Sequence, residues 1–265
     1  MTEEIDNLKV DTKVNISDIG ETIVVEEAPM KKCNVATFMA AIMMGGFHVG
    51  FAIGCANQLA TLFDVKYGWD ESQQSLYQSL IGSSVLVGMA SGAMIGGKII
   101  RIGRRRTMMI MNLVGIFGVA MTLVQDIWML LLGRVIYGLA VGICSVCLPR
   151  YVEEYVPLSR YSLCIALYAF SMNVGSLFAL CSAIILPKDT DTQALLDDQV
   201  SWRCINGIPI PLFFMSLLAF LFVIKYDGPS YYLATHRELQ AERSFNSIMD
   251  TWGDRSHFEK LRDEY

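Results

Sequence analysis

Six apolar segments, each about as long as a bilayer-crossing helix, constrain this chain more than any other feature. They lie at about 35–57, 75–97, 107–125, 127–149, 161–186 and 205–225. A hydrocarbon core about 30 Å thick is crossed by roughly 20 apolar residues in helical conformation, so lipid rather than water is the solvent around the folded chain. Composition agrees: 18% of the residues are charged, against about 25% in soluble domains. The expected class is an all-α membrane protein with six transmembrane helices.

Residues 1–33 read as a disordered polar tail, 34–225 as a six-span domain, and 226–265 as a helical segment outside the bilayer. The tail is acidic and holds no short apolar run before a cleavage site, so the first span is expected to direct insertion. Basic residues are unevenly spread. Lys98, Arg101, Arg104, Arg105, Arg106, Arg150 and Arg160 lie in the second and fourth loops, whereas the first and fifth loops hold Lys66, Lys188 and Arg203. The positive-inside rule therefore places both termini in the cytoplasm, without naming the membrane. On that topology the sequon Asn15-Ile16-Ser17 is cytosolic and unused.

Gly46, Gly50 and Gly54 share one face of the first span, and Gly88, Gly92 and Gly96 one face of the second. Such spacing lets helices meet backbone to backbone in lipid. Tight packing is the simpler reading of these faces, and rocking during transport the sharper one. Residues 231–252 read as one amphipathic cytoplasmic helix with Phe245, Ile248, Met249 and Trp252 on a stripe. That stripe would face the membrane surface or the inner ends of the spans.

Little in the chain suggests chemistry on substrates. It shows no nucleophile triad, phosphate loop or metal cluster, so no enzyme, cofactor or metal is expected, and no nucleic-acid partner. The seven cysteines read as small buried residues. Cys144 and Cys147 are spaced as CxxC but lie mid-span with no second pair. The informative residues are polar ones inside spans. His48 is either a neutral imidazole hydrogen-bonded within the bundle or a coupling or substrate-contacting group. Arg134, the one cation well inside a span, must face the interior or an aqueous end. Asn57, Gln58, Asn173 and Ser176 either line a cavity or join helices.

Two motifs carry a family resemblance. The stretch GGKIIRIGRRR between spans two and three resembles the signature loop of the major facilitator superfamily, matching at Arg101, Gly103, Arg104 and Arg105. Arg134, Gly138, Gly142, Pro149, Tyr151, Glu154 and Pro157 fall in RVIYGLAVGICSVCLPRYVEEYVP. This is similar to the sugar porter signature, and Trp202-Arg203 before span six is a further match. The resemblance covers about residues 36–250 and corresponds to the N-terminal six-helix half of that family. It implies two inverted three-helix repeats and alternating-access transport of a small polar solute, a sugar or polyol, across the bilayer. It also implies that a second six-helix half or a homodimer completes the site. In the family, His48 stands where proton-coupled members have Asp and many facilitators Asn. The residue matching Arg134 changes partner during transport. Arg101, Gly103, Arg104, Arg105, Glu154 and Arg160 are implied members of a cytoplasmic gate.

Departures point to a second reading. Ile100 stands where the family usually has Asp or Asn, and Ala169 and Ser176 where two sugar-binding glutamines are expected. Asp227-Gly228-Pro229-Ser230-Tyr231-Tyr232-Leu233 lacks the usual Glu and Arg of the stretch after span six, which implies a weakened latch. A non-transporting membrane protein, whether a degenerate or truncated paralogue or a regulatory partner of a full transporter, would show the same losses.

Overall fold

A computed structural model of the chain describes residues 32–55, 63–64, 66–156, 158–185, 200–248, 258–259 and 262. Most of the expected polar tail, together with Asn15, Asn57, Gln58, Pro157, Met249 and Trp252, lies outside the described residues. Among the described residues all regular structure is helical. The long helices are α1 (Lys32–Gly54), α2 (Glu71–Ile99), α3 (Arg104–Thr122), α4 (Ile127–Tyr155) and α5 (Leu158–Cys181). Two shorter ones, α6 (Ser201–Gly207) and α7 (Pro209–Leu218), follow each other directly and continue into a π-helical turn, Ala219–Val223. Outside this bundle lie α8 (Pro229–Ala234) and α9 (Glu238–Ile248).

Five segments among the described residues are long and apolar enough to cross a membrane: Ala36–Gly54, Ser72–Ile102, Ile127–Tyr155, Arg160–Cys181 and Ser201–Val223. Helix α3 falls short of that measure because Arg104, Arg105 and Arg106 occupy its first turn. Its burial pattern is nonetheless that of a packed bundle helix, with Met108, Met111, Asn112, Gly115 and Val119 all buried. Helix α4 continues to Tyr155, beyond the expected end near residue 149, with Pro149 inside it. The expected single helix over 231–252 is instead two. Residues 235–237 separate α8 from α9, and His236 there takes a positive φ of 55°. Phe245 and Ala241 of α9 are buried against Leu233 and Phe258. Phe245, the part of the expected stripe whose side chain is described, is therefore covered within the protein.

The spans pair through glycine. Helix α1 packs along α5, α2 along α4, and α3 against both α4 and α7. A Cβ added at Gly54 would meet the Ser176 carbonyl oxygen of α5 at 2.8 Å. One added at Gly50 would fall inside the radius of the Met172 carbonyl. Gly175 returns the contact against Phe47. Between α2 and α4 the same arrangement runs in both directions. Gly88 and Gly92 lie on the backbone of Val135 and Leu139, and Gly138 and Gly142 on that of Val85 and Met89. Lipid tails are as apolar as leucine, so helices associate in a bilayer through such close packing rather than through hydrophobic expulsion.

Helix α3 begins without a cap of its own. Its N-cap is Gly103, whose φ of 123° suits glycine and few other residues. The orphaned N–H groups of its first turn need an acceptor. Asp227, far along the chain, provides one: the Arg105 backbone N–H donates to Asp227 Oδ1 at 2.6 Å. A carboxylate there also suits the positive end of the helix dipole. Burial pushes the Asp227 carboxyl above its ordinary value near 3.8, and the Arg105 N–H and the guanidinium groups of Arg104, Arg105 and Arg106 draw it back only in part.

Two measurements check this account. Gly50→Val should force α1 off α5 and lower the melting temperature of the detergent-solubilised protein, at a cost of about 1–3 kcal/mol or more. Gly82→Ala, where a Cβ meets nothing within 4 Å, should leave it unchanged or slightly higher. For Asp227, the folded state holds the proton more tightly than the unfolded chain. Its stabilising contribution is therefore full below pH 3.8 and is lost as pH rises through the raised value. Melting temperature followed across the acid range should fall with rising pH more steeply in the native protein than in Asp227→Asn.

Candidate functional site

Two polar clusters lie inside the helix bundle, near its opposite ends. Arg134 and Glu154 both belong to α4, twenty residues apart, a separation of about 30 Å at helical rise.

The first cluster surrounds Arg134. Helical spacing puts Arg134 and Tyr137 on one face of α4, and both are buried, Arg134 at 4% exposure. Tyr137 donates its hydroxyl to the His48 carbonyl oxygen of α1 at 3.1 Å. The His48 ring, 3% exposed, stacks on Phe213 of α7 with centroids 3.8 Å apart and planes 8° apart. Tyr137 meets the same phenyl ring edge-on at 5.8 Å. Cys55 lies close enough to Arg134 to interact with it electrostatically and donates its thiol to Asn206 Oδ1 at 3.6 Å. Three elements thus bring His48, Arg134, Tyr137 and Asn206 into one interior region. Several polar atoms there have no hydrogen-bond partner among the described residues: both His48 ring nitrogens, Arg134 Nε and Nη2, and Asn206 Nδ2. Buried donors left unsatisfied cost free energy, and a guanidinium more than most. The arrangement can accept hydrogen-bond acceptors from a polar molecule, or a proton.

Beyond this cluster the bundle closes with aromatic side chains. Trp202 is fully buried, edge-on to Phe63 at 5.4 Å, with the Arg203 guanidinium 4.9 Å from its ring centre. Tyr67, Trp69 and Tyr77 stack in series nearby. Aromatic rings of this kind concentrate at membrane interfaces.

The second cluster holds the α2–α3 connection against the chain after α7. Arg104 pairs with Glu154 of α4, and its guanidinium lies 5.4 Å from the Tyr231 ring centre. Arg105 Nε donates to the carbonyl oxygens of Phe220 at 2.9 Å and Ile224 at 2.6 Å. The first belongs to the π-turn and the second to the residue that ends it. Tyr151 donates to the Tyr226 carbonyl at 2.8 Å and Tyr231 to that of Ile102 at 2.9 Å. Gly228 packs so closely on Glu154 that a Cβ would meet its Cβ at 2.9 Å. Glu154, Gly103, Arg104 and Arg105 thus converge. Arg101 is exposed in the short turn Ile100–Ile102, and Arg160 is exposed at the start of α5.

The remaining sequence candidates are placed differently. Ser176 donates to the Gly50 carbonyl of α1 at 3.0 Å, so its hydroxyl joins two helices. Asn173 is exposed and bonds the Ala169 carbonyl of its own helix at 2.9 Å. Sequence reasoning missed Tyr137, Asn206, Phe213 and Asp227. The loss of the usual glutamate after span six pointed to a weakened latch, whereas Asp227, just before Gly228, brings a carboxylate onto the same loop. A polar residue one helical turn from Arg134 was the available signal for Tyr137. Asp227 carried none, since its partner is a backbone N–H.

Comparison with known proteins agrees with this architecture. The family model described as "Sugar (and other) transporter" matches residues 37–265. Hexose transporter 1 of Toxoplasma gondii is 24% identical over 231 residues, covering 80% of this chain and 40% of that protein. The galactose-proton symporter of Escherichia coli strain K12 is 27% identical over 218 residues, covering 81% of this chain and 43% of that protein. Among solved structures, the partially occluded inward-open xylose transporter XylE of E. coli superposes with a TM-score of 0.74 at 16% identity. The match covers 88% of this chain and 57% of that one. The chain therefore spans less than half the length of these curated relatives. Its apolar helices and this match make it an integral multi-pass membrane protein, and it belongs to the sugar (and other) transporter family, the sugar porters of the major facilitator superfamily, over what corresponds to their N-terminal half.

Proposed function

We propose that the chain forms one wall of an alternating-access transporter for a small polar solute, a sugar or polyol. The single observation that carries this reading is Arg134, buried in the bundle beside Tyr137 and His48 with guanidinium donors left over. A charge so placed is costly and is retained where a pathway uses it. The relatives, named as hexose and galactose transporters, supply the solute class.

On this reading α3 is the third of six spans, and α6, α7 and the π-turn together are the sixth. The pairing supports two inverted repeats. Exchanging the first three spans with the last three turns the α1–α5 contact into the α4–α2 contact, and both are glycine-lined. The end bearing Arg104, Glu154 and Asp227 faces the cytoplasm, as do both termini. Its contacts hold the inner side closed in one state and part in the other. The exposed faces of α2 and α5, which include Leu86, Val87, Met94, Phe170 and Leu177, meet a second six-helix half or a second copy.

A second reading, a membrane protein that does not transport, is favoured by α5. Where sugar-binding glutamines are expected it carries Ala169 and Ser176, and the Ser176 hydroxyl is engaged by Gly50.

Uptake of labelled hexoses, pentoses and polyols into proteoliposomes separates the two. A transporter completed by a second copy gives flux that rises faster than linearly with protein density and is lost in Arg134→Ala. Flux no greater than in empty vesicles at every density would favour the non-transporting reading. Under the coupling role for His48, His48→Asn retains uptake but loses its pH dependence. An unchanged pH profile would remove that role.

A further inference from the structure

At the end of the bundle that carries the α2–α3 connection lies a cavity of about 290 Å³, apart from the Arg134 cluster. It is bounded by Arg105 and Arg106 of α3, Lys225 and Asp227 after the π-turn, and Arg237 and Arg243 at α9. Five cations thus surround one carboxylate. Asp227 already accepts the Arg105 backbone N–H, and Arg105 directs its Nε at neutral carbonyls. Neither exchange offsets the positive charge of Arg106, Lys225, Arg237 and Arg243, none of which has an ion-pair partner among the described residues.

We propose that this cavity binds a phosphomonoester group, the chemistry shared by the headgroup of a phosphorylated anionic lipid and a free phosphate ester. Three features point to it. Planar guanidinium forks match phosphate oxygens bidentately. The excess of positive charge suits a group carrying about −1.5 to −2 better than a single carboxylate. The volume, near the lower end of the roughly 300–1,000 Å³ of ligand pockets, suits a headgroup. Position favours the lipid source. Leu221, Phe222 and Val223 are exposed immediately before Lys225, with Phe222 at 68%, which sets the cavity at the level where an apolar span ends. Basic pockets at that depth on the cytoplasmic side recognise phosphorylated headgroups. The break between α8 and α9 is what folds Arg237 and Arg243 back towards Arg106, so the site depends on the tertiary fold rather than on a continuous basic run.

The test uses the full chain purified in detergent, with dioctanoyl phosphatidylinositol bisphosphate, dioctanoyl phosphatidylcholine and inositol trisphosphate as probes, read by native mass spectrometry. The phosphorylated lipid should bind in preference to phosphatidylcholine. The double variant Arg237→Ala/Arg243→Ala should weaken it on the order of tenfold without changing the melting temperature. Should the double variant fail to fold, Lys225→Gln, at an exposed position, gives a severalfold loss instead. Inositol trisphosphate should compete in either case: binding as tight as the lipid's assigns the site to a soluble phosphate ester, weaker binding assigns it to the lipid, and no competition would overturn the proposal. Equal retention of phosphatidylcholine, or undiminished binding by folded variants, would overturn the proposal.

Discussion

Helices in lipid gain nothing by hiding apolar side chains from their surroundings, so what holds this bundle together has to come from close contact. The glycines provide it. Along α1–α5 and α2–α4 the absence of a Cβ lets one backbone rest on the carbonyls of the next, in both directions across each pair. Hydrogen bonds then supplement the contact, as where Ser176 reaches the Gly50 carbonyl. Helix α4 runs through the middle of this arrangement, packed by both α2 and α3 and touched by α1. It is also the helix that carries Arg134 near one end and Glu154 near the other. The position of both polar clusters therefore follows from how tightly glycine allows α4 to be enclosed.

The clusters differ in how fully their polar groups are satisfied. At the α2–α3 connection the named bonds join three parts of the chain, although Arg104 Nε and Glu154 Oε2 keep no partner among the described residues. Arg104 has Glu154, the Arg105 side chain has the carbonyls of Phe220 and Ile224, and the first turn of α3 has Asp227. That end is braced by groups drawn from α3, α4 and the segment after α7, and separating them would release several bonds together. Around Arg134, Tyr137 and Cys55 find acceptors, while the guanidinium and both ring nitrogens of His48 keep unused capacity.

Much of this was legible in the sequence because it depends on short-range pattern. Apolar run length predicted where five spanning helices fall, glycine spacing at four residues predicted which faces meet, and the matched motifs predicted that Arg104 and Glu154 converge. Errors arose where a local rule met a tertiary one. Apolar periodicity read 231–252 as one helix, but burial of Phe245 against Leu233 and Phe258 is better served by a break at His236.

The sequence by itself determined the solvent, the class and the family, since these rest on composition, on run length and on residues a few positions apart. Only the tertiary structure decided which polar residues act together. Asp227 caps a helix that begins more than a hundred residues earlier, Tyr137 anchors on a carbonyl of α1, and Phe213 of α7 covers the His48 ring. The first two bonds end on backbone atoms, which every residue possesses, and the third contact is an apolar ring among many. No spacing rule marks them, and they appear only once glycine has brought the helices close enough to touch.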